Sequence, residues 1–201
     1  MSDSMVLSDF CDISIGLVLK RKEANTNTVN RKSYKVVTLK SFEDSGCINK
    51  THFDVFISNG ILPKKYLTQE NDVIIRLSKP YTAIRITKEL EGYVIPSFFA
   101  ILRINDNIVD SGYLSFVLNS ETTKQMYLKN SLSKTIPVIR VSSLNTTEIL
   151  VPPLENQKKI AKLSELMIKE KRLHQRLMME KDTYNKEITK RILQGGHNNA
   201  K

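Results

Sequence analysis

Residues 148–163 read EILVPPLENQKKIAKL: a short apolar run of strand character, two prolines, then a charged amphipathic run with no glycine to relax the join. Proline lacks a backbone N–H and cannot sit inside a ladder, so Pro152 and Pro153 stop the strand. The same defect suits the first helical position, where the N–H has no partner, and Glu155 and Gln157 fall in the first turn, where acids favour the helix dipole. Beyond Pro153 there is no proline, and no glycine before Gly195–Gly196, which predicts one helix over 153–195 closed by that pair. At 1.5 Å per residue such a helix is a rod of roughly 60 Å, longer than a domain of this size can cover.

Apolar residues along the rod fall at Ile160, Leu163, Met167, Leu173, Leu177, Tyr184, Ile188 and Ile192, close to a 3.5–3.6 repeat with polar interruptions at Glu170 and Lys181. A narrow stripe on a long exposed helix predicts pairing with another helix as a coiled coil. Packing onto its own domain is the alternative, and it suits only a rod of ordinary length.

Working back from the join, the chain divides into a sheet-rich domain over 1–152, the spacer or dimerisation helix over 153–195 and a disordered tail over 196–201. DISIGLVLKRK (12–22) and SYKVVTLKSF (33–42) read as two strands around a polar loop, a basic β-ribbon. INKTHFDVFIS, DVIIRLS, YTAIRI and YVIPSFFAILRI continue the strand pattern, and Lys64–Lys65 open a turn or short helix. The period changes at 111–130, predicting a helix capped by Asp110 or Ser111. One last strand, EILVP, precedes the prolines. Residues 1–10 carry little pattern. The fold class expected is therefore α+β, a sheet-rich domain with a small number of helices followed by one long C-terminal helix.

The 201 residues are 40% hydrophobic, with 7 Gly and 6 Pro, which describes a globular chain. No apolar run approaches the ~18 residues of a membrane span, and Asp3, Asp9 and Asp12 stand where a secretory signal puts positive charge, so a cytoplasmic protein is expected. Cys11 and Cys47 match no metal or redox spacing and read as packing residues. The three histidines are scattered, and no metal site is visible. Phosphate-loop, dinucleotide-turn and nucleophile-elbow motifs are absent, as is the Asn-Pro-Pro-aromatic loop of DNA methyltransferases. Two carboxylate pairs, Glu43–Asp44 and Glu70 with Asp72, read as solvated turns. A non-catalytic protein is expected.

Net charge is +10, unevenly spread. Residues 20–40 hold seven Lys or Arg against one acid and 153–195 hold eleven against six, while 41–152 are close to balance. Such patches attract nucleic-acid phosphates, anionic membranes or acidic proteins.

The segments YLTQENDVIIRLS, YVIPSFFAILRIN and YLSFVLNSETTKQMYL, and above all IPVIRVSSLNTTEILVPPLENQKKIAKL, resemble in order the target-recognition domain and following helix of type I restriction–modification specificity subunits. At the join the family's pattern is matched by Ile149 to Val151, Pro152, Pro153, Leu154, Glu155, Gln157, Ile160 and Ala161. The resemblance spans about residues 60–195. It implies a domain that reads one half of a split double-stranded DNA site, and a helix that spaces the domains and docks methyltransferase subunits. No cofactor is implied for this chain, S-adenosylmethionine belonging to the partner methyltransferase. Family members usually carry two recognition domains and two helices. This sequence shows one of each, which implies a homodimer with antiparallel helices and a palindromic, interrupted site.

On that reading Lys20, Arg21, Lys22, Arg31, Lys32 and Lys35 lead as phosphate contacts, followed by Lys64, Lys65, Arg76, Lys79 and Arg85. Asn25, Asn27, Asn30 and Gln69 are candidates for base edges. The competing expectation is a regulatory or structural partner that joins another specificity subunit through the helix without reading DNA.

Overall fold

The computed structural model describes residues 3–25, 29–43, 45–105, 107–130 and 137–195. In chain order the strands are β1 (Asp3–Val6), β2 (Cys11–Ile15), β3 (Lys32–Val36), β4 (Asp54–Ser58), β5 (Val73–Arg76), β6 (Ala83–Arg85), β7 (Phe99–Ile104) and β8 (Glu148–Val151). The helices are α1 (Ser111–Asn119), α2 (Glu121–Lys129), α3 (Val141–Asn145) and α4 (Leu154–Gly195). The class is α+β with one long C-terminal helix, as the patterning predicts. Among the described residues the strands pair antiparallel, in a four-stranded sheet ordered β2-β7-β5-β6 and two pairs, β1-β8 and β3-β4, with isolated parallel bridges at Leu17–Pro96 and Val36–Val94.

Central strands β5 (VIIR) and β7 (FAILRI) are apolar on both faces because both faces are covered. Val73, Ile75, Ala100 and Leu102 meet Leu7, Phe10, Leu114, Leu118, Tyr127 and Leu144 on one side. Ile74, Phe99 and Ile101 meet Val37, Phe42, Ile84 and Ile95 on the other. Asn119 closes the outer edge at β6: its side chain accepts from Ala83 N at 3.0 Å and donates to Ala83 O at 2.6 Å, standing in for a further strand.

Several expected elements differ. The predicted strand over 12–22 ends at Ile15, because Gly16 passes so close to the 95–96 backbone that a Cβ there would lie 2.2 Å from Pro96 O. The chain then turns through a 3-10 segment, Leu19–Arg21. The expected ribbon between 12–22 and 33–42 is therefore not formed; β2 pairs with β7 and β3 with β4. The helix expected over 111–130 is two helices. Asp110 caps α1 by accepting from Tyr113 N at 2.9 Å, and Ser120, extended at ψ 147°, breaks the run and caps α2 by accepting from Thr123 N at 3.3 Å. The patternless N-terminus supplies β1, whose partner is the strand before the prolines, Asp3 opposite Val151 and Val6 opposite Glu148.

At the join, α4 begins at Leu154, one residue later than expected, and the Pro153 carbonyl accepts from Asn156 N at 2.8 Å and Gln157 N at 3.2 Å. Gln157 is 1% exposed. Its Oε1 accepts from Asp110 N at 2.8 Å while its Nε2 donates to Ile108 O at 2.9 Å and Pro152 O at 2.7 Å. One turn on, Ile160 packs against the core beneath α1, and Ala161 faces Gly112, where an added Cβ would lie 2.9 Å from the Ala161 Cβ. Two compact units result, the first ending at Ser164 and the second beginning at Glu165. The division falls inside α4 because its first turns belong to the packing of the first unit. The expected tail, 196–201, lies outside the described residues.

Gln157→Ala strands one buried N–H and removes the partner of two carbonyls. It is expected to cost about 2–4 kcal/mol in denaturant unfolding of the full chain, whereas the exposed neighbour substitution Lys158→Ala changes it by less than about 0.5 kcal/mol.

Candidate nucleic-acid interface

The β3-β4 pair gathers the leading basic residues through a strand that the charge pattern does not reveal. Segment 22–24 runs along the second edge of β4, with Asn59 N donating to Lys22 O at 2.8 Å and Ala24 N to Ile57 O at 2.9 Å. Glu23 thus bridges to Ser58, and Ser58 pairs on its other side with Lys32. At the usual strand spacing the Lys22–Glu23 backbone and Lys32 stand about 10 Å apart across β4. Lys20 and Arg21 occupy the turn just before. Arg31 donates to Asn25 O at 3.0 Å, drawing the two ends of the polar loop together. Lys35 stands 5.7 Å from the Tyr93 ring centroid. All six of these cations are exposed, and Glu23 and Asp54 are the acids among them.

Between the cations the outer face is apolar. Val55 lies opposite Lys35 and Ile57 opposite Ser33, 69% and 47% exposed, while Phe56 and Val36 point into the small core beneath. Sequence reasoning missed this face, although the alternation in DVFIS carries the signal.

Lys64 and Lys65 sit on a 3-10 turn held to the same pair: Leu62 N donates to the Tyr34 hydroxyl at 3.1 Å, and Leu62 packs in the β3-β4 core. The following loop depends on Asp72, which is 1% exposed and not the solvated turn residue expected. Its carboxylate accepts from Arg103 Nε at 2.9 Å, Arg103 NH2 at 2.8 Å and Gln69 N at 2.8 Å. Arg103 also donates to Leu67 O at 3.2 Å. The hydrogen bonds that Arg103 donates to the Asp72 carboxylate raise its pKa above the ordinary value.

The remaining basic candidates lie elsewhere. Arg76 is half-buried and donates to Ser78 Oγ at 3.1 Å, Lys79 is exposed in the turn leading to β6, and Arg85 donates to Asn71 Oδ1 at 2.9 Å. These three share no strand with the β3-β4 group. Asn25 and Asn30 are exposed beside it and Gln69 is half-buried; Asn27 lies outside the described residues.

On α4, Ile160 is half-buried in the domain core, so it serves the join more than a free stripe. Leu163, Met167, Leu173, Leu177, Tyr184, Ile188 and Ile192 are 37–70% exposed. The helix is laced by i,i+4 ion pairs, Lys159–Glu155, Arg176–Glu180 and Arg191–Glu187. Among the described residues no group of three or more His, Cys, Asp or Glu is placed to hold a metal ion, and no helix is long and apolar enough to cross a membrane. Cys11 is buried, which pushes its thiol up to about 12.

A sheet-rich α+β domain with exposed cations gathered around one two-stranded pair, continuous with a long amphipathic helix, is thus the class of protein that sequence and coordinates define. The chain belongs to the family of type I restriction modification DNA specificity domains, whose model matches residues 2–178. A search of curated proteins finds no significant match. Among solved structures, the fold is similar to a chain from a study of assembly and conformational transition of a type I R-M system, at 17% identity and TM-score 0.68, covering 96% of this chain and 48% of that one. The HsdS subunit from Thermoanaerobacter tengcongensis is similar at 16% identity and TM-score 0.66, covering 93% and 47%. The S subunit of a type I system from M. genitalium follows at 14% and 0.52, covering 87% and 40%. This chain therefore spans about half the length of the solved chains it resembles.

Asp72→Ala leaves the partly buried Arg103 charge and Gln69 N unpaired, and is expected to cost about 3 kcal/mol by equilibrium unfolding. Arg103→Leu should be similarly harmful, and the double substitution should cost clearly less than the sum, because the two lose one shared interaction.

Proposed function

We propose that this chain reads DNA for a type I restriction–modification system, recognising one half of a bipartite site and directing a methyltransferase, with or without a restriction subunit, while doing no chemistry itself. The observation that carries this reading is the gathering of six exposed cations around β3-β4 in a chain of the specificity-domain family. Lysine and arginine at the rim fix register on phosphates, and the apolar centre at Val55 and Ile57 suits contact with base edges such as thymine methyl groups. Lys64 and Lys65 extend the same surface through the Tyr34–Leu62 link. Arg76, Lys79 and Arg85 remain secondary candidates. The domain over 1–152 acts as reader and the helix over 153–195 as spacer, in the cytoplasm, with S-adenosylmethionine held by the methyltransferase.

The exposed stripe from Leu163 to Ile192 favours a second element of the reading: two copies of α4 pair antiparallel, so that identical domains face a palindromic, interrupted site. A purely regulatory role, in which the helix joins another specificity subunit and no DNA is read, accounts for the stripe but leaves the basic face unused.

Site selection from random duplexes followed by a salt titration tests DNA reading. Site-specific affinity is expected to fall by about 10³–10⁵ between 50 and 200 mM salt if 6–10 phosphates are contacted. Arg31→Glu with Lys32→Glu should eliminate binding and leave the oligomeric state unchanged; unaltered affinity removes the β3-β4 face from the interface. Leu177→Asp with Ile188→Asp should convert dimers to monomers in sedimentation, and a surviving dimer argues against pairing through the stripe.

A further inference from the structure

The stripe on α4 carries more than apolarity. Written as heptads from Ile160, the a positions are Ile160, Met167, His174, Lys181 and Ile188, and the d positions Leu163, Glu170, Leu177, Tyr184 and Arg191. Glu170, Lys181 and Arg191 thus bring charge to that face, and Arg191, at its far end, pairs with Glu187 of its own helix. Each of the intrahelical ion pairs of α4 uses other residues, so Glu170 and Lys181 have no ion-pair partner among the described residues. Both are exposed. Leu173 and Ile192 flank the seam at g and e.

We propose that two copies of α4 pair antiparallel in one register, in which Glu170 of each copy lies against Lys181 of the other and the two-fold axis crosses at the level of Gln175 and Arg176. The inference rests on the self-pairing reading above and goes beyond it by naming the alignment and what selects it. In an antiparallel pair a faces d of the other helix. With Glu170 on Lys181, Leu163 falls on Ile188, Met167 on Tyr184 and His174 on Leu177, and two-fold symmetry repeats each layer. Charge then meets opposite charge, and the Leu163–Ile188 and Met167–Tyr184 layers are apolar on both sides; Arg191 falls beyond them, level with Ile160, which packs against the domain core.

No neighbouring alignment does this. A slip of one heptad one way sets Leu163 on Lys181, and the other way sets Glu170 on Ile188 and Leu177 on Lys181. A parallel, in-register pair sets Glu170 on Glu170 and Lys181 on Lys181. In each case a charge is desolvated against an apolar group or a like charge, which is costly where the true pair is not. The two charges thus lower the gross stability of the seam and confine it to one arrangement, as polar a-position residues do in other coiled coils.

The arrangement makes an unusual demand of charge swaps in the full-length protein. Glu170→Lys alone creates Lys–Lys contacts and Lys181→Glu alone creates Glu–Glu contacts, so each variant by itself should dimerise at least ~10-fold more weakly than the wild type in sedimentation equilibrium. An equimolar mixture of the two regains both opposite-charge contacts in a heterodimer, and with one variant fluorescently labelled it should return to near the wild-type dissociation constant. Both changed positions are exposed, so loss of folding does not produce this pattern, and recovery on mixing excludes it directly. Single variants that dimerise as tightly as the wild type, or a mixture no tighter than its components, overturn the register. A wild-type chain that stays monomeric under the same conditions overturns self-pairing itself, a separate failure from that of the alignment, and neither result bears on DNA affinity measured in parallel.

Discussion

Gln157 uses its whole amide at the one place where the domain meets the helix. A helix N-terminus pressed against a domain leaves backbone groups out of reach of water, on the helix and on the surface it covers. The side-chain oxygen takes Asp110 N and the side-chain nitrogen takes the carbonyls of Ile108 and Pro152, so the groups around the join are satisfied by one residue from inside the helix. Neither Glu nor Leu of similar size supplies an acceptor and two donors at once. The two prolines before the helix have no N–H to offer the Ile108 carbonyl, and a glutamine a turn later supplies that donor instead. Gly112 and Ala161 complete the fit, since two small residues let α1 approach α4 closely enough for that side chain to reach.

From that join the domain is closed on itself. The strand that ends at Pro152 is paired with β1, so the beginning of the chain and the approach to the helix are one ladder. Behind it the central strands β5 and β7 of the four-stranded sheet are buried on both faces, which leaves little solvated sheet face there to bear a charged interface. The basic group lies instead on β3-β4, a two-stranded pair with only its inner face buried, where cations and apolar residues can alternate outward. Asp72 and Arg103 then fix the loop that follows Lys64–Lys65 from below. They form a paired charge within the protein, whose worth is positional as much as energetic.

What was legible in the sequence follows from range of interaction. The Pro-Pro stop, the glycine-free run to 195 and the Asp110 cap are local chemistry, and all three appear in the coordinates. The α+β class was legible for the same reason. Pairing was not. DISIGLVLKRK has strand propensity throughout, yet the chain turns at Gly16 because of a backbone 80 residues away, and β1 owes its existence to a strand some 145 residues downstream. Ser120 looks like an ordinary helix-surface residue until its extended backbone makes it a cap. At the candidate interface the cations were visible as charge, but not the role of β4 in holding the segments that carry Lys22 and Lys32 along its two edges. Asp72 resembled a turn carboxylate because nothing local announces Arg103 as its partner.

A long helix with a uniformly apolar seam would pair strongly and indifferently, since every heptad slip would bury nearly the same area. On the proposed function, in which the chain spans a fixed length of DNA, this is the wrong compromise. One heptad of slip displaces a paired helix by about 10 Å, roughly three base pairs of B-form duplex. In the proposed dimer, two identical readers displaced by that much would face different sides of the duplex, and a symmetric site could no longer satisfy both. In the proposed pair, charges within the seam would convert a length error into an electrostatic one, resisted far more sharply than a small change in buried area. On this view Glu170 and Lys181 interrupt the stripe for the same reason that Gln157 interrupts the apolar packing at the join: a polar group buried with one specific partner fixes geometry that hydrophobic contact alone leaves free.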